Sequence, residues 1–330
     1  MHAKYEVTPE LTVIVTVYKR LEYLDTALKS LRNQTCHLFD TIVTDDSNNS
    51  EIARICSRFD EGSVRYRANP TPLGIAQNVR LVAEGASTEY MAILNDDDCW
   101  EPEYVESLLL PLQKNPNAVL AFGDHWIIDA EGRIDVAASD RNTIRYGRHL
   151  LQEGVLTDWV SEAVINQSIP LAMAAVFRKN AINWALVDSE VGSAYDFWIA
   201  CLLAATRRPA IYVNQRLSRY RIHEAMETAR QAFDKNHEMV TTWDRTVRLN
   251  FFPEFKRPIK RKFAQALLTS GRYSLIYGRR NVARAYFVHS FRIAWSAKAI
   301  AGAIFSIPPF TLLFHCLKLI SRYATRIFSK

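Results

Sequence analysis

The sequence predicts an α/β fold, in which a mostly parallel sheet is flanked by helices and is followed by a basic helical C-terminal region. Three observations support this prediction: short apolar strands alternate four times with helical stretches, acidic residues follow two of the strands, and charge divides sharply along the chain. Alternating strands and helices are typical of a parallel sheet with helices on its faces. Ligands of such sheets bind beyond the carboxyl ends of the strands.

The first hundred residues supply the alternating elements. The apolar, β-branched run LTVIVTV at Leu11–Val17 predicts a buried strand. A helix follows, because leucines recur with helical spacing at 21, 24, 28 and 31. The same reasoning predicts strands over 41–44, 64–66 and 90–94, and helices after residue 50 and over 74–86.

Beyond Trp100 the pattern is mixed. The residue order there predicts helices over 102–112 and 194–205, strands over 118–122, 126–129 and 171–178, and a turn at 131–132. The segment 135–170 gives no clear pattern.

The charge of the chain is strongly asymmetric. Residues 255–330 contain fifteen Lys and Arg and no Asp or Glu, so the remaining 26 basic and 35 acidic residues give residues 1–254 a net charge of −9. Such a tail needs an anionic partner or many counterions, and the candidate partners are nucleic acid and anionic lipid. Aromatic and Arg residues at helical spacing over 263–295 favour an anionic membrane surface, and no motif favours nucleic acid. The uncharged stretch 299–317 contains Pro308 and Pro309, which favours an in-plane or re-entrant helical pair over a span. A soluble helical subdomain is the alternative.

The cysteines and the N-terminal segment indicate the cellular compartment, and missing motifs exclude some classes of enzyme. Five scattered cysteines without a CxxC pair indicate reduced thiols, and the polar segment Met1–Glu10 lacks a signal core, so we expect a cytoplasmic protein. The sequence lacks GxGxxG, GxxxxGK[ST], HExxH and GxSxG, which argues against nicotinamide, P-loop, zinc-protease and serine-hydrolase chemistry.

Asp96, Asp97 and Asp98 form the strongest candidate site. They follow a predicted buried strand, and adjacent carboxylates repel one another unless a cation or hydrogen bonds compensate. Oxygen ligands of this kind suit Mg²⁺ or Mn²⁺, which in turn can bind a diphosphate. The alternative is a solvated turn.

Three further candidates carry weaker signals. Asp45, with Asp46 beside it, follows a strand and either caps the next helix or accepts hydrogen bonds from a base or ribose. Asp196 begins an aromatic helix and is either a general base or an ordinary first-turn residue. His223 is a metal ligand only if the fold brings it back to Asp98.

The motifs together resemble the GT-A fold of family 2 glycosyltransferases. The resemblance rests on five segments in the family's order, which cover about residues 10–228. They are VIVTVYKRLEYLDTALKSLRNQT, IVTDDSNNS, NPTPLGIAQNVRLVAEGASTEYMAILNDDDCWEP, VFRKNAI with VDSE and AYDFWIACLLA, and RYRIHEAMET.

The resemblance implies a role for each candidate residue. Asp45 is expected to contact the nucleobase, Asp96 and Asp98 to lie at the metal and the diphosphate, and Asp97 to lie near the donor sugar. Asp196 is expected to be the general base of an inverting transfer, and His223 to reach the metal. The nucleotide-binding residues that it implies are Thr16, Tyr18, Arg20, Asp45, Gln77, Asp96 and Asp97.

Three positions depart from the family pattern. Gln77 replaces the usual Arg, Lys19 the usual Asn, and Tyr195 the usual acidic residue before Asp196. The resemblance implies a glycosyltransferase domain over 1–228, with a nucleotide-binding half 1–100 and an acceptor half 101–228, before a basic region 229–330.

The resemblance also implies the partners. We expect a nucleotide-sugar donor, with a UDP-sugar favoured, and a glycan or lipid-linked acceptor at the inner face of the cell membrane, where the enzyme would be peripheral. Two alternatives are a nucleotidyltransferase, whose Gly-rich loop is missing after the first strand, and a degenerate module that binds a nucleotide or glycan without turnover.

Overall fold

The computed structural model describes residues 9–18, 20–59, 64–223 and 232–307. The chain divides into two compact units, Met1–Met226 and Glu227–Lys330.

The first unit is built on one mixed sheet. Its ten strands within the described residues are β1 Leu11–Val17, β2 Phe39–Asp45, β3 Val64–Ala68, β4 Tyr90–Asn95, β5 Cys99–Trp100, β6 Leu120–Ile128, β7 Ile134–Asp135, β8 Gly154–Leu156, β9 Ala175–Arg178 and β10 Ala210–Arg221. Their order in the sheet is β3-β2-β1-β4-β9-β6-β10-β5, while β7 pairs with β6 and β8 with β10. The pairs β1–β2, β1–β4, β2–β3 and β6–β10 are parallel, whereas β9 is antiparallel to both β4 and β6.

Helices pack against this sheet because each carries an apolar stripe. Leu24, Leu28 and Leu31 of the first helix join the odd-numbered residues of β1 in one core cluster, since alternate strand residues point to the same face. The helices of this unit are α1 Leu21–Arg32, α2 Ser50–Cys56, α3 Ile75–Gly85, α4 Tyr104–Lys114, α5 Val136–Arg145 and α6 Tyr195–Ala205. The predicted α/β class, with a mostly parallel sheet flanked by helices, is confirmed.

The strand predictions beyond residue 100 need two corrections. Strands 118–122 and 126–129 are one strand, β6, because Gly123 does not break it. A Cβ atom at Gly123 would lie 2.9 Å from Gln215 O, so glycine allows the neighbouring strand to approach closely. The predicted strand 171–178 forms only over its last four residues, because Met173 N and Ala174 N both bond to Pro170 O in a turn.

The segment 135–170 contains α5, β8 and a π-helix at Ser161–Asn166. A buried ion pair ties this segment to the sheet: Arg148 Nε lies 2.8 Å from Asp124 Oδ1, and both side chains are almost fully buried. The sequence pattern misses this pair because its two residues are 24 positions apart.

The second unit is helical in its described part. Its helices are α7 Ala232–Leu249, α8 Lys256–Ile276, α9 Arg280–Ile293 and α10 Ala297–Phe305. The predicted helical stretch 263–295 is therefore divided between two helices, and Gly278, with φ +75°, lies between them. Within the described ranges, no helix combines the length and apolar character that a membrane span requires. The prediction for 299–317 falls largely on residues 308–317, which lie outside the described residues.

One aromatic side chain of the second unit lies against two glycines. A Cβ atom at Gly271 of α8 would lie 2.8 Å from the Phe287 ring of α9, and one at Gly302 of α10 would lie 2.5 Å from it. Phe287 is buried and belongs to the apolar core of this unit. The three helices can therefore pack this closely only because both positions lack a side chain.

Candidate active site

The end of β1 lies between two acidic segments. Asp46 N donates a hydrogen bond to Val17 O at 3.0 Å, and Asp96 N donates one to Thr16 O at 3.1 Å. Because β2 and β4 both run parallel to β1, the two segments lie at the same edge of the sheet.

Arg20 supplies the positive charge nearest to the Asp96–Asp98 cluster. Its guanidinium lies 2.7 Å from Asp96 Oδ1 and also forms an ion pair with Asp97. The second oxygen of Asp96 accepts a hydrogen bond from Tyr18 N at 3.1 Å. Burial raises the pKa of Asp96 to about 7, although Arg20 lowers it. One guanidinium therefore does not compensate the burial of this carboxylate.

Asp98 is buried with two neutral donors. Its Oδ1 accepts a hydrogen bond from Arg221 N, and its Oδ2 accepts one from Asn95 Nδ2, each at 3.0 Å. Burial, and then the nearby charge of Asp97, raises the pKa of Asp98 well above its usual value. The site thus holds a carboxyl group that ionises readily only when further positive charge is present.

The end of β10 closes one side of the cluster. His223 Nε2 lies 3.1 Å from Asp97 Oδ2. Two residues earlier, Arg221 Nε donates to Asp97 O at 2.8 Å, and its guanidinium lies 4.5 Å from the centre of the Tyr23 ring. The structure therefore brings His223 to the acidic cluster, where it contacts Asp97.

The chemistry of these donors fits a divalent cation. All three carboxylates of the cluster are buried, two of them, Asp96 and Asp97, share the Arg20 guanidinium, and Mg²⁺-type ions prefer such oxygen donors. In the described part of the chain, no group of three or more His, Cys, Asp or Glu side chains is arranged to hold a metal ion. This is compatible with an ion held by one or two carboxylates and completed by substrate phosphates. Asp98 and His223 would then hold it, and Asp96 would do so only after giving up Arg20.

Asp45 has little acceptor capacity left in this structure. Its Oδ1 accepts hydrogen bonds from Ser47 N and Oγ, and its Oδ2 accepts bonds from Asn49 N and from the Tyr66 hydroxyl. A carboxylate offers about four acceptor positions. A base contact by Asp45 would therefore displace one of these donors.

Asp46 ties the end of β2 to the loop before α3. Its carboxylate accepts hydrogen bonds from Asn69 Nδ2 at 2.9 Å, Leu73 N at 2.8 Å and Gly74 N at 2.9 Å. Gly74 has a φ of +78°, which favours glycine at this position. Asp46 thus holds in place the loop that precedes α3.

The remaining candidate nucleotide-binding residues lie around the same edge. Thr16 Oγ1 donates to Asn95 Oδ1 at 3.2 Å and links the ends of β1 and β4. Gln77 is half-buried in the first turn of α3. Lys19 lies outside the described residues.

Asp196 is half-buried in the first turn of α6, as the sequence predicts. Its Oδ1 accepts a hydrogen bond from Phe197 N at 2.7 Å. The preceding residue, Tyr195, is buried, and its pKa is raised well above the usual value by burial and then by the charges of Asp196, Asp98 and Asp97. Negative charges from both parts of the candidate site, which are about a hundred residues apart in the sequence, therefore act on Tyr195.

Sequence reasoning missed two contributors to this site. Arg221 appears in the sequence only as part of a basic motif, and its contacts to the acidic cluster span more than 120 positions. Tyr195 was visible only as a departure from a family pattern. In the sequence, both residues were visible only through their positions in motifs. Their relation to the acidic cluster becomes apparent only in the folded chain.

Comparison with known proteins identifies similar sequences. Residues 12–168 match the family model described as glycosyl transferase family 2. An uncharacterised glycosyltransferase of Haemophilus influenzae is 25% identical over 244 residues, which cover 69% of this chain and 73% of the relative. The GalNAc(5)-diNAcBac-PP-undecaprenol beta-1,3-glucosyltransferase of Campylobacter jejuni is 29% identical over 131 residues, or 38% of this chain and 41% of the relative.

Solved structures share the fold. S. aureus TarS 1-349 in complex with UDP-GlcNAc superposes with a TM-score of 0.61 and 13% identity, over 90% of this chain and 89% of TarS. The mannosyltransferase PcManGT from Pyrobaculum calidifontis, in complex with GDP-Man and Mn²⁺, gives a TM-score of 0.54 and 16% identity, over 98% and 88% of the two chains.

Proposed function

Residues 12–168 form a family 2 glycosyltransferase domain, and from this premise we propose an inverting enzyme that moves a sugar from a nucleotide-sugar to an acceptor hydroxyl. A UDP-sugar is the favoured donor, and a lipid-linked or polysaccharide glycan is the proposed acceptor.

One observation carries the proposal. The Tyr195 hydroxyl is acted on electrostatically by Asp196 and also by Asp97 and Asp98. A carboxylate suited to general-base work thus lies near carboxylates suited to a diphosphate-binding cation. An acceptor hydroxyl and a departing diphosphate need groups of these two kinds side by side.

Asp196 is the proposed base. Its carboxylate takes the proton from the acceptor hydroxyl, and the oxygen then attacks the anomeric carbon of the donor sugar. The bond from that carbon to the diphosphate breaks on the opposite face, and the nucleoside diphosphate leaves with the electron pair. Attack opposite to the leaving group inverts the anomeric configuration.

Asp98, with His223, would hold Mn²⁺ or Mg²⁺, and such an ion supplies charge neutralisation for the leaving diphosphate. The complex of PcManGT with GDP-Man and Mn²⁺ supports a divalent metal in this fold. Asp96 pairs with Arg20 in this structure, and we propose that this pair keeps Arg20 beside the diphosphate. Asp97 contacts both Arg20 and His223, and its proposed role is to meet the donor sugar.

The nucleoside would lie along the edge formed by β1, β2 and α3. Thr16 lies in the last two residues of β1, and Tyr18 and Arg20 follow that strand. Asp45 is the last residue of β2, and Gln77 lies in the first turn of α3. Such an edge beyond parallel strands is where nucleotides bind in α/β sheets. Asp45 is proposed to contact the base by exchanging one of its present donors for a base N–H group.

Substituting Asp196 by Asn tests the base. We expect a loss of turnover of about 10²- to 10⁴-fold, with nucleotide-sugar binding retained. Asp25→Asn is a matched control, because Asp25 is partly exposed and pairs with Lys29 at the surface. Equal turnover of Asp196→Asn and wild type would refute the role of Asp196. Nucleotide binding without any turnover in wild type would instead favour a non-catalytic binding module.

The surface of the second unit supports an acceptor that lies at an anionic membrane. Exposed apolar side chains include Phe291 on α9, Ile300 and Ile304 on α10, and Trp295 in the segment between the two helices. A cavity of about 410 Å³ also opens on α9 and is lined by Asn281, Arg284, Ala285, Val288, His289 and Arg292. Apolar side chains beside cations are typical of helices that lie in an anionic membrane surface. The relative named for an undecaprenol-linked substrate supports a lipid-linked acceptor.

Vesicle sedimentation tests this membrane partner. We expect binding to phosphatidylglycerol vesicles at low salt, weak binding to phosphatidylcholine, and about a tenfold loss on Ile304→Glu. Ile144→Glu is the control, because Ile144 is a similarly exposed isoleucine in the first unit. A protein that ignores both kinds of vesicle at low salt would contradict the proposal.

A further inference from the structure

We propose that the Tyr195 hydroxyl is a specificity-determining group, which donates a hydrogen bond to a neutral oxygen of a sugar at the reaction centre. The inference rests on the proposed function and adds a ligand contact at the position where the resemblance leads one to expect an acidic residue.

The first argument is an unpaired buried hydroxyl. Tyr195 is 4% exposed, and its Oη atom has no hydrogen-bond partner among the described residues. A polar group buried without a partner destabilises a fold, so such groups in native proteins call for an explanation. Tyr104 shows the ordinary solution in the same unit: its hydroxyl donates to Ala175 O and accepts from Ala175 N, at 3.0 and 2.9 Å.

The second argument is position. Tyr195 begins α6 and directly precedes the proposed base, Asp196. The negative charges of Asp98 and Asp97 also act on Tyr195. In the proposed reaction, Asp196 meets the acceptor oxygen, and Asp98 lies at the cation that binds the departing diphosphate. A partner for Tyr195 is therefore expected to arrive with the substrates.

The third argument is the chemistry of a phenol among carboxylates. Burial and the neighbouring negative charges raise the pKa of Tyr195 well above its usual value, so the hydroxyl keeps its proton. A protonated phenol donates a hydrogen bond, whereas an ionised acidic residue only accepts. The surrounding carboxylates repel an anionic ligand group. A neutral sugar hydroxyl, or the carbonyl of an acetamido group, remains as the fitting acceptor.

The test is Tyr195→Phe, which removes one oxygen and keeps the ring. Thermal unfolding, the binding of UDP and of UDP-sugars, and the KM and kcat for donor and acceptor are measured on the full chain. We expect an unchanged or raised Tm, unchanged UDP affinity, and a fall in kcat/KM of about tenfold or more. Tyr104→Phe is the matched control, for which we expect a Tm lower by roughly 2–6 °C and little change in kcat/KM.

The measurements also identify the source of the oxygen. A weaker preference for UDP-sugar over UDP assigns the contact to the donor, whereas unchanged donor binding with a raised acceptor KM assigns it to the acceptor. The inference is overturned if Tyr195→Phe keeps the wild-type kcat/KM for both substrates. A Tm lowered as much as that of Tyr104→Phe, without any kinetic change, also overturns it. Failure of the proposed function is distinct, because wild type itself would then transfer no sugar.

Discussion

Two acidic segments lie on either side of the end of β1, and they are stabilised in opposite ways. The Asp45–Asp46 pair is surrounded by hydrogen-bond donors: Asp45 accepts four hydrogen bonds and Asp46 accepts three. Asp98 is equally buried but accepts two, and the carboxylates beside it share one guanidinium.

The difference lies in what each segment still requires. Neutral donors that surround a carboxylate stabilise its charge without any ligand, so the first pair holds its own loop in place. In the second cluster the protein compensates less of the charge, so burial raises the pKa of Asp96 and of Asp98, and a bound cation would favour their charged forms. Similar runs of aspartate therefore serve as scaffold in one place and as a candidate cation site in the other.

The largest expected effect comes from Asp98→Asn. Neutralising this residue should lower metal-dependent turnover by about a thousandfold, because several kcal/mol of charge stabilisation depend on the ion. Calorimetry with UDP, with and without Mn²⁺, should show that the metal no longer strengthens binding. If Mn²⁺ still tightens UDP binding to the variant as it does for wild type, the contrast between the two segments is wrong.

The pH dependence of the metal-free protein should show the same contrast. The carboxyl of Asp96 ionises near pH 7 in the folded chain and near its usual pKa of 3.8 in the unfolded chain. Between those two pH values the Asp96 carboxyl binds fewer protons in the unfolded state than in the folded state. Asp96 therefore lowers the free energy of unfolding as pH rises, by up to about 1.4 kcal/mol per pH unit. Above about pH 7 the loss levels off.

Denaturant titrations of wild type and Asp96→Asn from pH 4 to 8 measure the contribution of Asp96 to the free energy of unfolding. Relative to the variant, wild type should lose stability across the window, and Mn²⁺ should restore it. A difference between the two proteins that stays constant with pH would contradict the expectation.

The smallest expected effect is that of Asp46→Asn. This change leaves fewer acceptors for Asn69, Leu73 and Gly74, and we expect it to lower the free energy of unfolding by about 2 kcal/mol. The folded variant should still bind UDP more tightly with Mn²⁺ than without it. Loss of that metal effect at unchanged stability would mean that the pair is part of the cation site.

Much of this contrast could not be predicted from the sequence. The strands β1, β2 and β4 were predictable because apolar runs end abruptly in polar residues, and the position of Asp96–Asp98 followed from the same pattern. The donors around each carboxylate were not, because they come from distant positions, such as Arg20 for Asp96 and Arg221 for Asp98. Hydrophobic periodicity describes what a segment buries and carries no information about which donor meets which acceptor.

The same limit explains the errors beyond residue 100. The pair Gly123-Asp124 reads as a break between strands, yet Asp124 is paired with Arg148 from a segment that showed no pattern. Burial of a charged residue inside a strand is unexpected from local sequence and requires a partner that only the folded chain brings near.

The glycines around Phe287 limit the natural sequence variation that this unit can tolerate. Gly271 and Gly302 leave room for that ring, and α10 carries part of the apolar surface that we propose for the membrane. A single-base change to alanine at either codon would add one methyl group where none fits and displace α10 without touching a catalytic residue. Natural variants should therefore be rarer at these two codons than at Gly85, where an added Cβ meets no atom within 4 Å.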